Sequence, residues 1–258
     1  MPDPRPLLLV GAGRLGGAML DGWLRAGAFP PGSILVRDPA PGPRARAAAG
    51  HGVRLSPGDG ELAAAGAVVL AVKPQGWREV AAALAPRLAA DAVVVSVMAG
   101  VRGADLGEAF GGRPVARVMP TTAVAIARGV ASVHAADPAA RARAHALFDP
   151  IAKVVDLEDE ALMDAAVGVS GSAPAYLYAF TEARATMESA AALMAETPAA
   201  SPAELRTEVT SPKGTTEAAL DVLLQPDALP ALLRRAVAAA ARRSRELAGG
   251  ATGSAPGG

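Results

Sequence analysis

"PLLLVGAGRLGGAMLDGWL", residues 6–24, places four consecutive apolar residues, Leu7–Val10, directly before Gly11-x-Gly13-x-x-Gly16. So short an apolar run suits a strand covered on both faces, and the residues after the glycines read as an amphipathic helix. A glycine pattern alone is a weak signal, but its position between strand and helix gives it meaning. Gly11 permits a tight turn, Gly13 lets the backbone approach a pyrophosphate, and Gly16 lets helix and strand pack closely. The helix N-terminus then offers free N–H groups and the positive end of its dipole to phosphates. The stretch reads as the first βα turn of a dinucleotide-binding sheet, with Gly11, Ala12, Gly13, Arg14, Leu15 and Gly16 on the phosphate side.

Further β-rich runs follow at Ile34–Val36, Ala67–Val72, Ala92–Met98 and Val115–Met119. Stretches of helical length alternate with them: Leu15–Ala26, Arg44–Ala49, Gln75–Ala89 and Ala104–Phe110. This alternation predicts a doubly wound parallel sheet with helices on both faces, an α/β domain over residues 1–157. Beyond Glu158 strand runs cease, and Glu160–Val167, Pro174–Glu196 and Pro230–Leu247 read as helices. A smaller all-helical domain is therefore expected over residues 158–248, with residues 249–258 as a Gly-rich tail.

Composition removes several function classes. With 51% hydrophobic residues the chain of 258 can bury a core. Its 25 basic and 25 acidic residues cancel and form no basic block, which argues against a nucleic-acid binder. There is no cysteine, so disulfides and thiolate metal sites are excluded. His51, His134 and His145 lack ligand spacing, so no metal is expected. The apolar run at the N-terminus is too short for a signal peptide, and no run approaches the roughly 20 residues of a membrane helix. The expectation is a soluble cytoplasmic protein.

Cofactor choice rests on "ILVRDPAPGPR", residues 34–44. Asp38 stands 22 residues beyond Gly16, where an acid hydrogen-bonds the adenine ribose diol and favours NAD. Arg37, Arg44 and Arg46 are candidates for a 2′-phosphate and would favour NADP. The residues leave both open. Two further stretches fall at strand ends, where such a sheet places its ligands: Ala71, Val72, Lys73 and Pro74, and Met98, Ala99 and Gly100.

Six segments together resemble the pyrroline-5-carboxylate reductase family: "GAGRLGGAML", "VVLAVKPQ", "SVMAGV", "RVMPTTAVAIARG", "EDEALMDAAVGVSGSAPAYLY" and "LRTEVTSPKGTTEAAL". They occur in the family's order, and the last two are the specific ones. The resemblance implies NADPH- or NADH-dependent reduction of a cyclic imino acid, with NADP slightly favoured, and a homodimer or larger homo-oligomer formed by the helical domain. It adds Met119, Pro120 and Thr121 to the cofactor side. It also assigns substrate binding to Ser211, Lys213, Gly214, Thr215 and Thr216. Backbone N–H groups of Gly214, Thr215 and Thr216 would hold the carboxylate, and the Thr216 hydroxyl, as the catalytic group, would hold the imine nitrogen.

The chain departs from the family at Thr121-Thr122-Ala123, where Asn-Thr-Pro is usual, and at Ala173 and Lys213, where glycine is usual. Between "PAYLY" and "LRTEVTSP" it is shorter by about five helical turns, so Pro174–Glu196 reads as one continuous helix. Two other readings remain beside the leading one. One is a reductase of another cyclic imine; the other is a dinucleotide binder that has lost catalysis through the shortened helical domain. A serine hydrolase is disfavoured, since "GVSGS" is not the required elbow.

Overall fold

The structure, a computed structural model, describes residues 5–171 and 184–250. Strand β1 (Leu7–Val10) sends Leu7 and Leu9 to one face and Leu8 and Val10 to the other, and all four are buried. Alternating side chains explain why an unbroken apolar run is needed: each face has its own core. One core gathers Met19, Leu20, Trp23, Val69, Val95 and Phe148; the other gathers Leu35, Leu62, Leu70, Trp77, Leu84 and Phe110. Each such large side chain, fully buried, contributes about 1.5–3 kcal/mol.

The remaining strands are β2 (Ile34–Arg37), β3 (Arg54–Leu55), β4 (Ala67–Leu70), β5 (Val93–Ser96), β6 (Val115–Pro120), β7 (Gly129–His134) and β8 (Ala152–Asp156). They form one sheet in the order β3-β2-β1-β4-β5-β6-β7-β8. Leu7 is in register with Ile34 on one side and Ala67 on the other. Strands β1 to β6 run parallel, β7 runs antiparallel to β6, and β8 runs parallel to β7. The sheet is thus mostly parallel, as the doubly wound reading expects, with one antiparallel pairing, between β6 and β7. Reversal at β7 puts the ends of β7 and β8 opposite the edge where β1 and β4 terminate.

Helices α1 (Arg14–Ala26), α2 (Pro43–Gly50), α3 (Asp59–Ala64), α4 (Trp77–Leu84), α5 (Gly103–Ala109), α6 (Pro138–Phe148) and α7 (Leu162–Ala166) accompany the strands. The predicted helix Gln75–Ala89 is shorter than expected, because Pro74 and Pro86 place 3₁₀ turns at Pro74–Gly76 and Ala85–Arg87. Helix α1 ends at Gly27, whose φ of 59° closes the last turn. The Trp23 indole N–H donates to the Leu147 carbonyl at 2.8 Å, which ties α1 to α6 through a buried bond.

On the surface of α6, His145 lies between two carboxylates. Nδ1 is 3.1 Å from Asp149 and Nε2 is 3.1 Å from Asp156 at the end of β8. Partial burial alone would lower its pKa, but the hydrogen bonds to Asp156 and Asp149 outweigh this and raise it above the usual imidazole value. A raised folded-state pKa gives stability that is fully present below the unfolded value, about 6.5, and is lost as pH rises through the folded value. His145→Ala is therefore expected to lower the melting temperature more at pH 5.5 than at pH 9, both pH values chosen to lie roughly outside that window. An equal loss at both would show that the ring acts only by packing.

The chain divides into two units. Among the described residues one holds 5–171 with 240–250, and the other holds 184–239. The second unit contains α8 (Arg184–Glu196), α9 (Pro202–Glu208), α10 (Thr215–Leu223) and the first half of α11 (Leu229–Gly250). Helix α9 starts with a reciprocal cap: the Glu204 N–H donates to Ser201 Oγ, and the Ser201 N–H donates to the Glu204 carboxylate. The final turns of α11 belong to the first unit, where the buried Ser244 hydroxyl donates to Asp164 of α7 at 2.6 Å. The predicted continuous helix from Pro174, with Ala173 and "PAYLY", lies in part outside the described residues, as does the end of the tail.

Candidate functional site

The glycine turn after β1 is built as close packing requires. Gly11 has φ +90°, and a Cβ there would sit 2.7 Å from the Ala71 carbonyl oxygen. A Cβ on Gly16 would meet the Gly11 oxygen at 2.0 Å, so α1 cannot lie this close to the turn with any larger residue. Gly13 is different: a Cβ there meets no protein atom within 4 Å. Its exposed backbone faces open space, and the first helical N–H to find an intrahelical partner among these residues is that of Gly17, bonded to the Gly13 carbonyl at 2.8 Å. The preceding N–H groups of α1 are left for something else.

The turn is fastened to the neighbouring strand ends. The Gly11 N–H donates to the Arg37 carbonyl at 2.9 Å, and the Ala71 N–H to the Val10 carbonyl at 2.8 Å. The Ala12 N–H donates to Asp38 Oδ2 at 2.7 Å, and the Ala40 N–H to Asp38 Oδ1 at 2.8 Å. Beside these groups opens a cleft of about 830 Å³. Gly11, Gly13, Arg37, Asp38, Ala71, Val72 and Lys73 all line it. Its far wall comes from Glu79, Val80, Ala83 and Leu84 on one face of α4, residues the motif reading did not name. Their three- and four-residue spacing, on a helix starting just after Lys73-Pro74, is the sequence signal that marks them. The volume, the bare Gly13 and the free N–H groups fit a dinucleotide.

The arginines proposed for a 2′-phosphate are mostly committed elsewhere. Arg44 pairs with Asp21 at 3.2 Å, and Arg46 donates to the Pro41 carbonyl. Farther along the sheet edge, Met98 and Met119 are buried, Pro120 ends β6, and Gly100 has φ +75°. Ala99 between them is partly exposed, as are Pro74 and Leu15, while Arg14 is exposed. Thr121 is also buried, and its hydroxyl accepts the Val130 N–H at 3.1 Å, which pins the start of the Thr122–Ile126 turn to β7. Arg117 of β6 is also buried and pairs with Glu160 at 2.8 Å; the same carboxylate accepts the Gly103 N–H at 2.6 Å. Glu160 thereby fixes α5 and the approach to α7 against β6.

In the second unit, residues 210–214 form the turn that starts α10. None of its hydroxyls caps the helix: the N-cap is Gly214, without a side-chain bond. The Thr210 hydroxyl donates back to the Arg206 carbonyl at 2.6 Å. The hydroxyls of Ser211, Thr215 and Thr216 have no partner among the described residues. The Gly214 N–H donates to the Ser211 carbonyl at 3.0 Å, so it leaves the expected set of carboxylate donors. Thr215 and Thr216, in the first turn of a nine-residue helix, keep theirs. The Lys213 N–H is held by the Glu217 carboxylate at 2.5 Å.

Lys213 has φ +58°, a conformation that favours glycine. Its ammonium is exposed, so the side chain gains little packing in exchange. A left-handed conformation costs an L-residue about 1–2 kcal/mol, partly offset by the greater unfolded-state freedom of glycine. Lys213→Gly is expected to stabilise the protein by about 0.5–1 kcal/mol in denaturant unfolding. A destabilised variant would show that the lysine side chain holds the turn.

Comparison with known proteins finds relatives that cover nearly all of the chain. Residues 182–247 match the family described as pyrroline-5-carboxylate reductase dimerisation. Residues 7–100 match the one described as NADP oxidoreductase, coenzyme F420-dependent. A pyrroline-5-carboxylate reductase of Pseudomonas aeruginosa is 38% identical over 272 aligned residues, covering 96% of this chain and 98% of the relative. That alignment is longer than the 258-residue chain, so gaps open in this chain. The enzyme of the same name from Pisum sativum is 34% identical and covers 96% and 97%. Among solved structures, a pyrroline-5-carboxylate reductase from Coxiella burnetii superposes with a TM-score of 0.84 at 26% identity, covering 95% and 99%. The Plasmodium falciparum pyrroline carboxylate reductase with NADP bound shares the fold, with a TM-score of 0.80 at 21% identity and coverage of 96% and 100%.

Proposed function

The chain belongs to the pyrroline-5-carboxylate reductase family, and we propose that it reduces 1-pyrroline-5-carboxylate to L-proline with NADH or NADPH. The observation that carries the cofactor half of this reading is the open space over Gly13 beside the 830 Å³ cleft. When bound there, a reduced nicotinamide supplies the hydride that turns the C=N bond of the substrate into C–N; with one proton the product is a secondary amine.

The chain's own residues position and stabilise. The N-terminus of α1 and the bare backbone at Gly13 would hold the pyrophosphate, and Asp38 the adenosine side. The N–H groups of Thr215 and Thr216, at the positive end of α10, would hold the substrate carboxylate. The Thr216 hydroxyl, without a competing partner, would hold the imine nitrogen as its bonding changes. No metal-ligating cluster exists among the described residues, and the carbon of a C=N bond is electrophilic enough to take hydride once oriented. The roles of Ser211 and Lys213 belong to the same proposal.

A homodimer or larger homo-oligomer is part of this reading. Met194, Val209, Val222, Leu224 and Leu232 are 41–64% exposed in the helical unit, more apolar surface than a solitary helical unit leaves in water. No described helix is long and apolar enough to cross a membrane. A cytoplasmic location is proposed with the rest, since the reaction draws on the cell's pool of reduced dinucleotide.

The test is oxidation of NADH and NADPH by purified protein with 1-pyrroline-5-carboxylate, followed by absorbance. Saturable turnover forming proline supports the reading. Cofactor binding without turnover would transfer it to a protein that has lost catalysis, with the shortened helical domain as the cause.

A further inference from the structure

We propose that Glu160 is a positioning residue for the hydride transfer: one of its carboxylate oxygens sets the spacing between residues 98–100 and 119–121. The assignment rests on the reductase reading above. With Asp38 after β2 on the adenosine side, the ends of β5 and β6, across β1 and β4, take the nicotinamide side. Glu160 Oε1 accepts the Gly103 N–H at 2.6 Å, three residues past Gly100. The same oxygen accepts from the Arg117 guanidinium at 2.8 Å, two residues before Met119 and on the same face of β6. One atom thus joins both segments.

The sheet alone does not set this spacing. Ladder pairing between β5 and β6 ends at Ser96 and Arg117. Beyond it, the Met98 N–H bonds back to Ser96, Arg102 turns to Asp105, and the Thr121 N–H bonds across to Val130. Among the described residues no hydrogen bond joins 98–103 directly to 118–121. Four residues after Glu160, Asp164 accepts the Ser244 hydroxyl at 2.6 Å, so the segment carrying Glu160 is held farther along as well. Arg117 is buried, and desolvation offsets most of what such a pair adds to stability. What the pair supplies is direction, and a small misplacement of reacting atoms is enough to slow hydride transfer.

The test is a single turnover of the reduced dinucleotide that wild type binds more tightly, with 1-pyrroline-5-carboxylate, beside the emission of the bound nicotinamide. The amplitude counts competent protein, whereas the rate constant reports geometry. Glu160→Ala is expected to lower the rate constant about 10- to 100-fold at full amplitude, with dinucleotide affinity within a few-fold and bound emission altered. Glu160→Asp keeps the charge beside Arg117 but withdraws the oxygen by one methylene; it should show the same slowing, and it decides if the alanine variant fails to fold. Glu160→Gln keeps an oxygen able to accept both bonds. Its rate should stay within a few-fold of wild type although its melting temperature falls. Ser244→Ala should lower the melting temperature and leave the rate constant alone.

Reduced amplitude at the wild-type rate in Glu160→Ala and Glu160→Asp overturns the proposal, since the pair then serves the fold only. Glu160→Gln as slow as Glu160→Ala overturns it too, because the charge and not the shared acceptor would matter. If wild type binds dinucleotide without turnover, the reductase reading fails and bound emission decides: altered emission in Glu160→Asp upholds the positioning, and unchanged emission ends it. Wild type that binds no dinucleotide removes the cleft reading and this assignment with it.

Discussion

Gly13→Val is expected to abolish dinucleotide binding while leaving the fold nearly untouched. The two parts of that expectation come from one observation. At Gly13 φ is −69° and ψ −149°, the latter outside the regions an L-residue usually adopts, while an added Cβ meets no protein atom within 4 Å. No packing contact therefore resists the valine, and its cost to the fold is confined to the backbone of the turn. Whatever the valine blocks lies outside the protein, in the space above the turn where a pyrophosphate must approach the backbone. Titration with NADH and NADPH should show affinity reduced by at least about 100-fold, equivalent to roughly 2.7 kcal/mol. Thermal unfolding should shift by only a few degrees, as for a local backbone cost of about 1 kcal/mol. Gly16→Val is the control with the opposite signature. Its Cβ would press on the Gly11 carbonyl oxygen at 2.0 Å, so α1 must move and stability must fall. A normal dissociation constant in Gly13→Val would remove the cofactor from this turn. A collapsed fold in the same variant would show that the space is not free.

These contrasts mark where sequence reasoning carries. β1 and β4 are legible because burial on both faces writes an uninterrupted apolar run. β7 and β8 are not, since each has a face in contact with solvent and their segments, "GVASVH" and "AKVVD", mix polar with apolar residues. α3 and α6 are faint in the sequence for a related reason. α3 has six residues and one buried side chain, and the buried positions of α6 (140, 143, 144, 147 and 148) keep helical spacing but are filled in part by two alanines and Arg143, so the apolar signal is weak. Of the candidate site, the glycine turn and the acid beyond β2 stand in the sequence, because backbone geometry restricts which residues fit. The Ala12–Asp38 bond does not stand there, nor does the Arg117–Glu160 pair, 43 positions apart. Lys213 shows the reverse problem: a left-handed residue is invisible when its side chain is not glycine. The Gly214 N–H illustrates a third. A turn residue is readable as a donor, but whether its neighbour Ser211 takes that donor depends on how the turn closes.

Thr216→Ala is expected to lower kcat about 100-fold with cofactor affinity unchanged, the second large effect. The size follows from losing one well-placed donor where charge changes in the transition state, which typically costs 10²–10³. Threonines 207, 210 and 216 differ in what their hydroxyls are doing. Thr207 donates to the Ala203 carbonyl at 3.0 Å and Thr210 to the Arg206 carbonyl at 2.6 Å, so both serve the end of α9. Thr216 has no such bond among the described residues, although it is half-buried in the first turn of α10. A hydroxyl with no protein partner is free to bond a ligand in place of water. Its N–H lies at the same helix end, so one residue can hold both the carboxylate and the nitrogen of a cyclic imino acid. Alanine keeps the N–H and removes only the hydroxyl, and this separates the two roles. With the carboxylate contact intact, KM should change by no more than a few-fold while kcat falls. Thr216→Ser should restore most of the rate, since it returns the hydroxyl at the cost of one methyl group. Thr210→Ala is the matched control; it removes a hydroxyl from the same loop and should affect stability more than turnover. Equal losses in Thr210→Ala and Thr216→Ala would mean that the loop contributes its shape alone, and unchanged turnover in Thr216→Ala would exclude its hydroxyl from the reaction.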